Sequence, residues 1–338
     1  METQVEHVSP LPDPKRAILP FIGLLIALLA IGSAPIFVKF SMAEIGAIST
    51  IFNRFWIAGL FFGIWSGVET FRQDVSDKTP AEAQPIYTLK TAGMLLLVGS
   101  LFASIQLLWA LSLTQTSVAS SVTILHGLRP LLTTLGGWIL FKNRYDSRFL
   151  IGMTIAILGS ILIGFNDFSE SVYKFQGDLL SVLSAICSTL ELLLMERLLT
   201  QFKTRTLMLW CCMIGSLITL AVLFLFSTFT TNVHFLPISW RGWGVVVALA
   251  FFSQVIGHGL ITYSLNYLSS GVVAVSLLLD PVISALFAWI ILSEQVTLLS
   301  GSFCCIVLSG IYVSLSSKYA VKADVAKSNL AEAEPLLG

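Results

Sequence analysis

The chain has 338 residues, of which 56% are hydrophobic and 11% are charged, and its formal net charge is zero. This composition lies far outside the range of soluble domains and indicates an integral membrane protein. A neutral chain has no overall field that would recruit nucleic acid. The five cysteines lie inside apolar runs without the spacing of a disulfide framework or a zinc site, so we interpret them as packing residues.

Ten apolar runs are long enough to cross a hydrocarbon core about 30 Å thick. They predict an all-α integral membrane protein with ten transmembrane helices. The first run is too long for a cleaved signal peptide and is interpreted as a retained helix. The predicted helices lie at residues 17–40, 46–66, 89–113, 116–141, 148–165, 176–200, 206–229, 242–266, 269–292 and 296–316.

Basic residues predict the orientation of these helices, because cytoplasmic loops carry an excess of Lys and Arg. With the N-terminus inside, 14 of the 19 basic residues fall on the cytoplasmic side and three on the other side. Both termini are therefore predicted to be cytoplasmic, and the plasma (inner) membrane is the expected location. Residues 1–16 form the predicted N-terminal tail, residues 317–338 a disordered C-terminal tail, and the segment from Val68 to Leu89 a cytoplasmic loop.

Two matching blocks indicate an internal duplication. LRPLLTTLGGWILF begins at Leu128 and LDPVISALFAWIIL begins at Leu279. An offset of 151 residues relates Pro130 to Pro281, and the same offset aligns the tryptophan and the glycine that follow each proline. At the position before the proline, the first block has an arginine and the second has an aspartate.

The duplication predicts two five-helix repeats, at residues 17–165 and 176–316, joined by a linker at residues 166–175. Because each repeat has an odd number of spans, the second repeat must cross the membrane in the opposite sense to the first. Inverted repeats of this kind are typical of secondary transporters, in which a central site is exposed to either side in turn.

Three segments carry a resemblance to a known family: NRFWIAGLFF around Arg54, ALSLTQTS ahead of Pro130, and PVISALFAWIILSEQ, which reaches Glu294. With its two five-helix units, the chain resembles the EamA-type transporters of the drug/metabolite transporter superfamily over about residues 17 to 316. The resemblance implies a metabolite carrier, often an exporter of amino acids or related small solutes. It also implies a central cavity lined by the first four helices of each repeat.

The chain departs from the family pattern at two places. Gly32 and Ser33 stand in the first predicted helix where a Trp-Gly pair is common, and Asn143 replaces the acidic residue that Glu294 supplies in the other repeat. These differences weaken any assignment to a particular subfamily.

Charged side chains inside the predicted helices mark a candidate substrate site. A charge at mid-membrane costs roughly 2.5–3.5 kcal/mol on insertion scales, so it normally faces a cavity or a partner. Further polar residues recur at steps of three and four, which aligns them on helical faces. The predicted substrate-binding residues are Arg129, Asp280, Glu191, His126, His258, Gln106, Trp109, Gln254, Asn53 and Arg54.

The equivalent positions of Arg129 and Asp280 allow two interpretations. The two side chains can form a buried ion pair that fixes the halves together. Alternatively, Arg129 binds a substrate carboxylate while Asp280 or Glu191 binds an ammonium group. Both interpretations hold if Arg129 and Asp280 form the ion pair when the site is empty and separate when substrate binds.

Other polar residues are equally open to a structural or a functional interpretation. His126 and His258 suit either packing or a proton relay. Burial in hydrocarbon disfavours a charged carboxylate, so proton coupling through Glu191 or Asp280 is a hypothesis. Trp109 either stacks on an aromatic solute or packs against its neighbours.

Proline and small residues predict where helices bend and pack. Pro130 and Pro281 each remove a backbone hydrogen bond in mid-helix, which produces either a hinge or a static bend. A series of small residues at every fourth position predicts a helix-packing face, and it leaves a homodimer open beside a monomer. The series is Gly152, Ala156, Ser160 and Gly164.

These features predict a secondary active transporter of a small polar or amphipathic metabolite, with an amino-acid-like solute favoured and export as the expected direction. An antiporter of phosphorylated or nucleotide-linked sugars is the alternative, but it would require a cluster of cavity cations. A membrane enzyme would need a convergent catalytic cluster, and a scaffold would have its polar faces sealed. No P-loop motif occurs. The expected partners are a small-molecule substrate and the lipid bilayer, with no cofactor or metal.

Overall fold

The computed structural model describes residues 14–75, 87–116, 118–141, 145–165, 172–229, 233–292 and 298–317. Within these ranges every regular element is helical. The elements are α1 (Pro14–Gly32), α2 (Ala34–Ile45), α3 (Ala47–Val75), α4 (Leu89–Ser112), α5 (Val118–Phe141), α6 (Ser147–Phe165), α7 (Val172–Leu198), α8 (Thr204–Ser227), α9 (Trp240–Ala248), a π-helix (Leu249–His258), α10 (Gly259–Ser264), α11 (Ser270–Ser276), a 3-10 turn (Leu277–Leu279), α12 (Asp280–Leu292) and α13 (Leu298–Leu315). The positions of Asn143 and Glu294 lie outside the described residues.

Several helical stretches have the length and hydropathy of membrane spans. Six qualify by themselves: Leu19–Ile45, Ala47–Glu69, Leu89–Ser112, Phe175–Leu198, Thr204–Ser227 and Trp240–Ser264. Shorter apolar helices cover Ser147–Leu162, Ser270–Ser284 and Cys305–Leu315. The all-helical architecture agrees with the sequence analysis, while the count of ten spans and the cytoplasmic termini stay predictions.

Helix ends differ from the predicted boundaries because hydropathy measures the apolar stretch and not the whole helix. The predicted loop from Val68 is wrong in its first part, since α3 continues to Val75. At the N-terminus, α1 extends into the predicted tail and begins at Pro14, a residue whose fixed φ suits the first helical turn. Likewise, α7 begins at Val172, inside the predicted linker.

The two halves of the chain interleave. Helix α4 packs on α7. The offset of 151 residues relates α4 to the π-helix and α10, and it relates α7 to α1. These counterparts also pack together. In the same way, contacts of α5 with α7 are matched by contacts of α12 with α1. The offset also relates two N-caps, Thr88 of α4 and Ser239 of α9. This repeated contact pattern is the one that a pseudo-two-fold arrangement of the repeats produces.

Small residues let α6 and α13 approach closely. A Cβ atom on Gly310 would overlap the backbone nitrogen of Ala156 and lie 2.7 Å from the carbonyl oxygen of Gly152. A Cβ atom on Gly159 would lie 2.8 Å from the backbone nitrogen of Val307. Gly152 and Gly159 of this face are therefore packed against α13 within the chain, and the choice between monomer and homodimer stays a prediction.

We expect Gly310→Ala to destabilise the protein by about 1–3 kcal/mol, because the added methyl group has no space between two backbones. Thermal unfolding of the purified protein in detergent measures the effect. Gly93→Ala is the matched control, since a Cβ atom on Gly93 meets nothing within 4 Å. Equal melting temperatures for both variants would contradict this packing.

Three helical stretches of the fold are interrupted, although each was predicted as one continuous α-helix. The first breaks at Ser33, between α1 and α2. The second runs from α9 to α10 through the π-helix, a conformation that is frequent at functional sites. The third breaks at the 3-10 turn between α11 and α12. We call these three stretches the interrupted trio.

Proline accounts for the third interruption. Pro281 has no N–H group for the carbonyl of Leu277, and the backbone N–H of Asp280 bonds that carbonyl instead, which tightens the chain into a 3-10 turn. The counterpart Pro130 lies inside an uninterrupted α5. The counterparts of the interrupted trio are α7, α4 and α5, all continuous helices. We call α4, α5 and α7 the regular trio.

Candidate functional site

Arg129 is positioned by α7. Its Nε donates a hydrogen bond to Ser188 Oγ at 2.8 Å, and that hydroxyl donates to the carbonyl of Ala185 at 2.9 Å. Asp280 and Glu191 both lie close enough to interact with the guanidinium electrostatically. Neither carboxylate, among the described residues, comes within the 4.0 Å of an ion pair with it. The forked end of Arg129 is therefore available to a ligand.

Asp280 contacts a histidine instead of the arginine. Its Oδ2 lies 2.9 Å from His126 Nε2. His126 precedes Arg129 by three residues, so the two side chains lie one turn apart on the same face of α5. The buried Arg129–Asp280 ion pair, which was one of the two sequence interpretations, is not the arrangement that this structure contains.

Glu191 provides the second carboxylate of the site. It follows Ser188 by three residues, so it lies one turn further along the face of α7 that holds Arg129. Glu191 and Arg129 are each 8% exposed, against 2% for Asp280. Within the part of the chain that the structure describes, Glu191 forms no ion pair within 4.0 Å. Glu191 and Arg129 thus carry opposite charges on the same face of α7 and its neighbour α5, and they do not form an ion pair with each other.

Five buried polar atoms on α4, α5 and α12 have no partner among the described residues: Trp109 Nε1, Thr123 Oγ1, His126 Nδ1, Thr133 Oγ1 and Asp280 Oδ1. A buried polar atom without a hydrogen bond costs about 1–3 kcal/mol. Buried polar groups are normally satisfied, so such a cluster indicates that a ligand or water completes it. Thr123 was not among the predicted site residues, although it lies one turn before His126 on α5.

Trp109 packs in an apolar cluster that draws residues from α2, α5, α7 and the π-helix. The members of the cluster are Ala34, Val38, Trp109, Leu113, Leu125, Ala185 and Leu249. Both sequence interpretations of Trp109 remain compatible with this position, because the ring is packed while its indole N–H has no partner.

Arg54 is enclosed in a separate network. Its guanidinium donates to Gln254 Oε1, Gln106 Oε1 and Ser253 Oγ, each at 2.9 Å. The residue is 1% exposed, and all three acceptors are neutral. The π-helix brings the adjacent residues Ser253 and Gln254 to one guanidinium. Gln106 extends the network, since its Nε2 lies 3.2 Å from His258 Nε2.

Asn53 is also committed to protein contacts. Its Nδ2 donates to the carbonyls of Ser49 at 2.8 Å and Phe235 at 2.7 Å, and its Oδ1 accepts from Trp56 Nε1 at 2.9 Å. Asn53, Arg54 and Gln254 therefore hold helices and a loop together in this structure. Direct substrate binding by these three residues stays a prediction.

We expect Arg54→Lys to destabilise the protein by at least about 1.5 kcal/mol, because a lysine cannot span three acceptors in a fork and leaves buried oxygens unpaired. The measurement is the melting temperature in detergent. Arg241→Lys serves as the control, since Arg241 is exposed and stacks over the Trp240 ring at 5.8 Å. A melting temperature that matches the control would contradict a structural role for the network.

Comparisons with known proteins agree with this architecture. The sequence profile of the EamA-like transporter family matches residues 19–165 and 175–316. An uncharacterized transporter of Archaeoglobus fulgidus is 23% identical over 290 residues, which cover 84% of this chain and 93% of the relative. A solved crystal structure matches with a TM-score of 0.67 at 17% identity, over 89% of this chain and 97% of that chain, and shares the fold. Because the family profile covers both halves, the chain belongs to the EamA-like transporter family and is a multi-pass membrane transporter.

Proposed function

We propose that the chain is a secondary active transporter that moves a small zwitterionic, amino-acid-like metabolite by alternating access. The observation that carries the proposal is the placement of Arg129 and Glu191, which carry opposite charges on adjacent helices without an ion pair between them. A guanidinium binds a carboxylate in a forked geometry, and a carboxylate binds an ammonium group. The two side chains thus provide both poles for a zwitterion.

The regular trio supplies the fixed part of this site. Arg129 on α5 is oriented by Ser188 on α7, where Glu191 also lies, and Trp109 on α4 packs in one apolar cluster with Ala185 of α7. A site that is held by hydrogen bonds on continuous helices keeps its geometry when it is empty. Substrate recognition would therefore rest on residues whose positions change little.

The interrupted trio supplies the elements that move. Broken helices beside the central site are a recurrent feature of transporters, because backbone interruptions allow one part of a helix to shift against the other. The break at Ser33 adjoins Asp280, since a Cβ atom on Gly32 would lie 3.2 Å from Asp280 Oδ1. We propose that the interrupted trio rocks against the regular trio and exposes the site to one side at a time.

The rival proposal of a sugar-phosphate antiporter is less well supported. A phosphate group would require several free cations, and the structure encloses Arg54 among three neutral acceptors. Among the described residues, Arg129 remains as the cation of the candidate site, with two carboxylates nearby. This balance suits a zwitterion better than an anion. Export from the cell is the direction that the resemblance to amino acid exporters suggests.

Counterflow in proteoliposomes tests the proposal with a panel of solutes. Neutral amino acids should exchange, whereas their methyl esters lack the anionic pole and their deaminated analogues lack the cationic pole, so both should compete poorly. Exchange of hexose phosphates or nucleotide-linked sugars in place of amino acids would overturn the assignment. Failure of the whole panel to exchange would also count against it.

A further inference from the structure

Three serine hydroxyls join the three helices of the regular trio. Ser112 ends α4, Ser121 lies in the first turn of α5, and Ser181 lies on α7. The Oγ atom of Ser112 lies 2.6 Å from that of Ser121 and 2.7 Å from that of Ser181. The Oγ atoms of Ser121 and Ser181 are 3.0 Å apart, and all three residues are fully buried. We call these residues the serine triangle.

The serine triangle can use every hydroxyl hydrogen that it contains. A hydroxyl donates one hydrogen bond and can accept others. Three hydroxyls in mutual contact can therefore each donate to the next around a closed ring. Loss of one side chain opens the ring and leaves a single bond between the remaining two hydroxyls. The bonds that join the three helices thus depend on one another.

The same face of α7 continues from the serine triangle to the candidate site. Ser184 and Ser188 follow Ser181 at steps of three and four, which places all three serines on one face. Ser184 Oγ donates to the carbonyl of Ile105 on α4 at 3.0 Å, and Ser188 Oγ accepts from Arg129 Nε at 2.8 Å. About 10 Å of helix rise separates Ser181 from Ser188. A rotation or a slide of α7 at the triangle would therefore displace the acceptor of Arg129.

A close contact fixes α7 one turn before the serine triangle. A Cβ atom on Gly177 would lie 2.9 Å from Thr116 Cβ and 3.0 Å from the backbone nitrogen of Thr116. Thr116 Oγ1 also donates to Asp178 Oδ1 at 2.9 Å. Gly177 precedes Ser181 by four residues and so lies on the same face of the helix. The triangle is therefore placed where α7 closely approaches the chain that leaves α4.

The equivalent positions of the interrupted trio are occupied by different residues. The offset of 151 residues relates the serine triangle to Tyr263, Val272 and Ala30. It relates Ser184 to Ser33, whose Oγ donates to the carbonyl of Ala30 at 2.7 Å, beside the break between α1 and α2. At this position the hydroxyl bonds between helices in the regular trio and within one stretch in the interrupted trio. The serine triangle thus belongs to the half of the bundle that holds Arg129.

We propose that the serine triangle positions Arg129 for the solute, because it fixes α7 against α4 and α5 and so sets the geometry in which Ser188 meets the guanidinium. The proposal rests on the proposed function, since it requires Arg129 to bind the solute carboxylate. The three serines are positioning residues that act through Ser188 and do not touch the solute. Their effect is therefore confined to solutes that carry a carboxylate.

The first test compares an amino acid with its methyl ester, which has no carboxylate for Arg129. In competition binding to the full-length protein, Ser181→Ala should lower the preference for the amino acid by roughly three- to tenfold and leave ester binding unchanged. Ser160→Ala is the matched control, because Ser160 is fully buried on α6 and its hydroxyl has no partner among the described residues. A wild-type preference in Ser181→Ala, or equal losses for both ligands, would overturn the proposal.

A triple variant separates positioning from stability. When Ser112, Ser121 and Ser181 are all replaced by alanine, no hydroxyl of the triangle is left without a partner, and such joint removal costs little stability. We expect a melting temperature close to that of the wild type and a preference for the amino acid as low as that of Ser181→Ala. A folded triple variant with the wild-type preference would contradict the proposal.

The second test does not need a solute. In nuclear magnetic resonance of the protein with isotope-labelled arginine, the Nε–H signal of Arg129 is the one that Arg129→Gln removes. Ser188→Ala removes its acceptor and should shift this signal, and Ser181→Ala should shift it in the same direction, whereas Ser160→Ala should not. An unchanged signal in Ser181→Ala would overturn the proposal. If no zwitterion binds to the wild type, the proposed function fails, and this signal still decides whether the serine triangle positions Arg129.

Discussion

Replacing Arg129 with lysine is expected to weaken the binding of a zwitterionic solute by roughly 10- to 150-fold, which corresponds to the loss of one hydrogen bond between charged groups, about 1.5–3 kcal/mol. Lysine keeps the charge and loses the fork. Lysine also lacks the Nε–H group, which in Arg129 donates a hydrogen bond to Ser188 Oγ at 2.8 Å. Radioligand binding to the detergent-purified protein measures the loss directly.

Two further variants control the experiment. Arg241→Lys changes an exposed arginine that stacks on Trp240, so it should bind like the wild type. Ser188→Ala removes only the group that orients Arg129, and it should weaken binding by roughly tenfold, the cost of one hydrogen bond to a charged group. Wild-type affinity in Arg129→Lys would show that the solute carboxylate binds elsewhere.

Glu191→Gln is expected to abolish the preference for an amino acid over its deaminated analogue. In the wild type, the Glu191 carboxylate attracts the ammonium group, so the amino acid should bind more tightly by roughly tenfold or more. The glutamine variant has no charge to offer, so both ligands should bind alike. Competition binding with each pair of ligands gives the ratio in both proteins.

Asp280→Asn is the matched comparison for this ratio. The Asp280 carboxylate already contacts His126, so its variant should retain the preference for the amino acid. Loss of the preference in Asp280→Asn together with its retention in Glu191→Gln would show that Asp280, and not Glu191, binds the ammonium group. The ratio is informative even if both variants lower overall affinity, because each ligand pair is compared within one protein.

Hydropathy was sufficient to predict most helices, because a bilayer selects long apolar segments whatever their detailed geometry. It did not predict the π-helix, since the step of four from Gln254 to His258 assumes α-helical geometry. The 3-10 turn before Asp280 follows from Pro281, yet its counterpart Pro130 is accommodated without a break. Proline alone therefore permits an interruption, and the surrounding packing decides whether it forms.

The sequence was sufficient to predict which charged residues belong to the candidate site. It was not sufficient to predict which of their side chains contact each other. Charges inside apolar helices identified Arg129, Glu191 and Asp280, because each costs free energy in lipid. Which atoms meet depends on helix rotation and crossing, and these are set by contacts between the repeats. The sequence therefore suggested Arg129 as the partner of Asp280, whereas the structure places His126 there. Arg54 looked equally available in sequence, but neutral acceptors from α4 and the π-helix enclose it.

The departure from the family pattern at Gly32 has a structural use. A Cβ atom at this position would overlap Ile283 and approach Asp280, so a larger residue would push α1 away from α12. The glycine thus allows the break at Ser33 to lie against the start of α12. This position connects the first helical stretch, the contact between Asp280 and His126, and the proposed movement of the interrupted trio.

Counterflow of a radiolabelled neutral amino acid in proteoliposomes, compared between the wild type and the double variant Arg129→Gln with Glu191→Gln, tests the central claim most directly. The double variant removes both poles and keeps the formal charge of the site at zero. We predict rapid exchange by the wild type and none by the double variant at an unchanged melting temperature. Exchange by the double variant at the wild-type rate would contradict the assignment of the substrate site to these two residues.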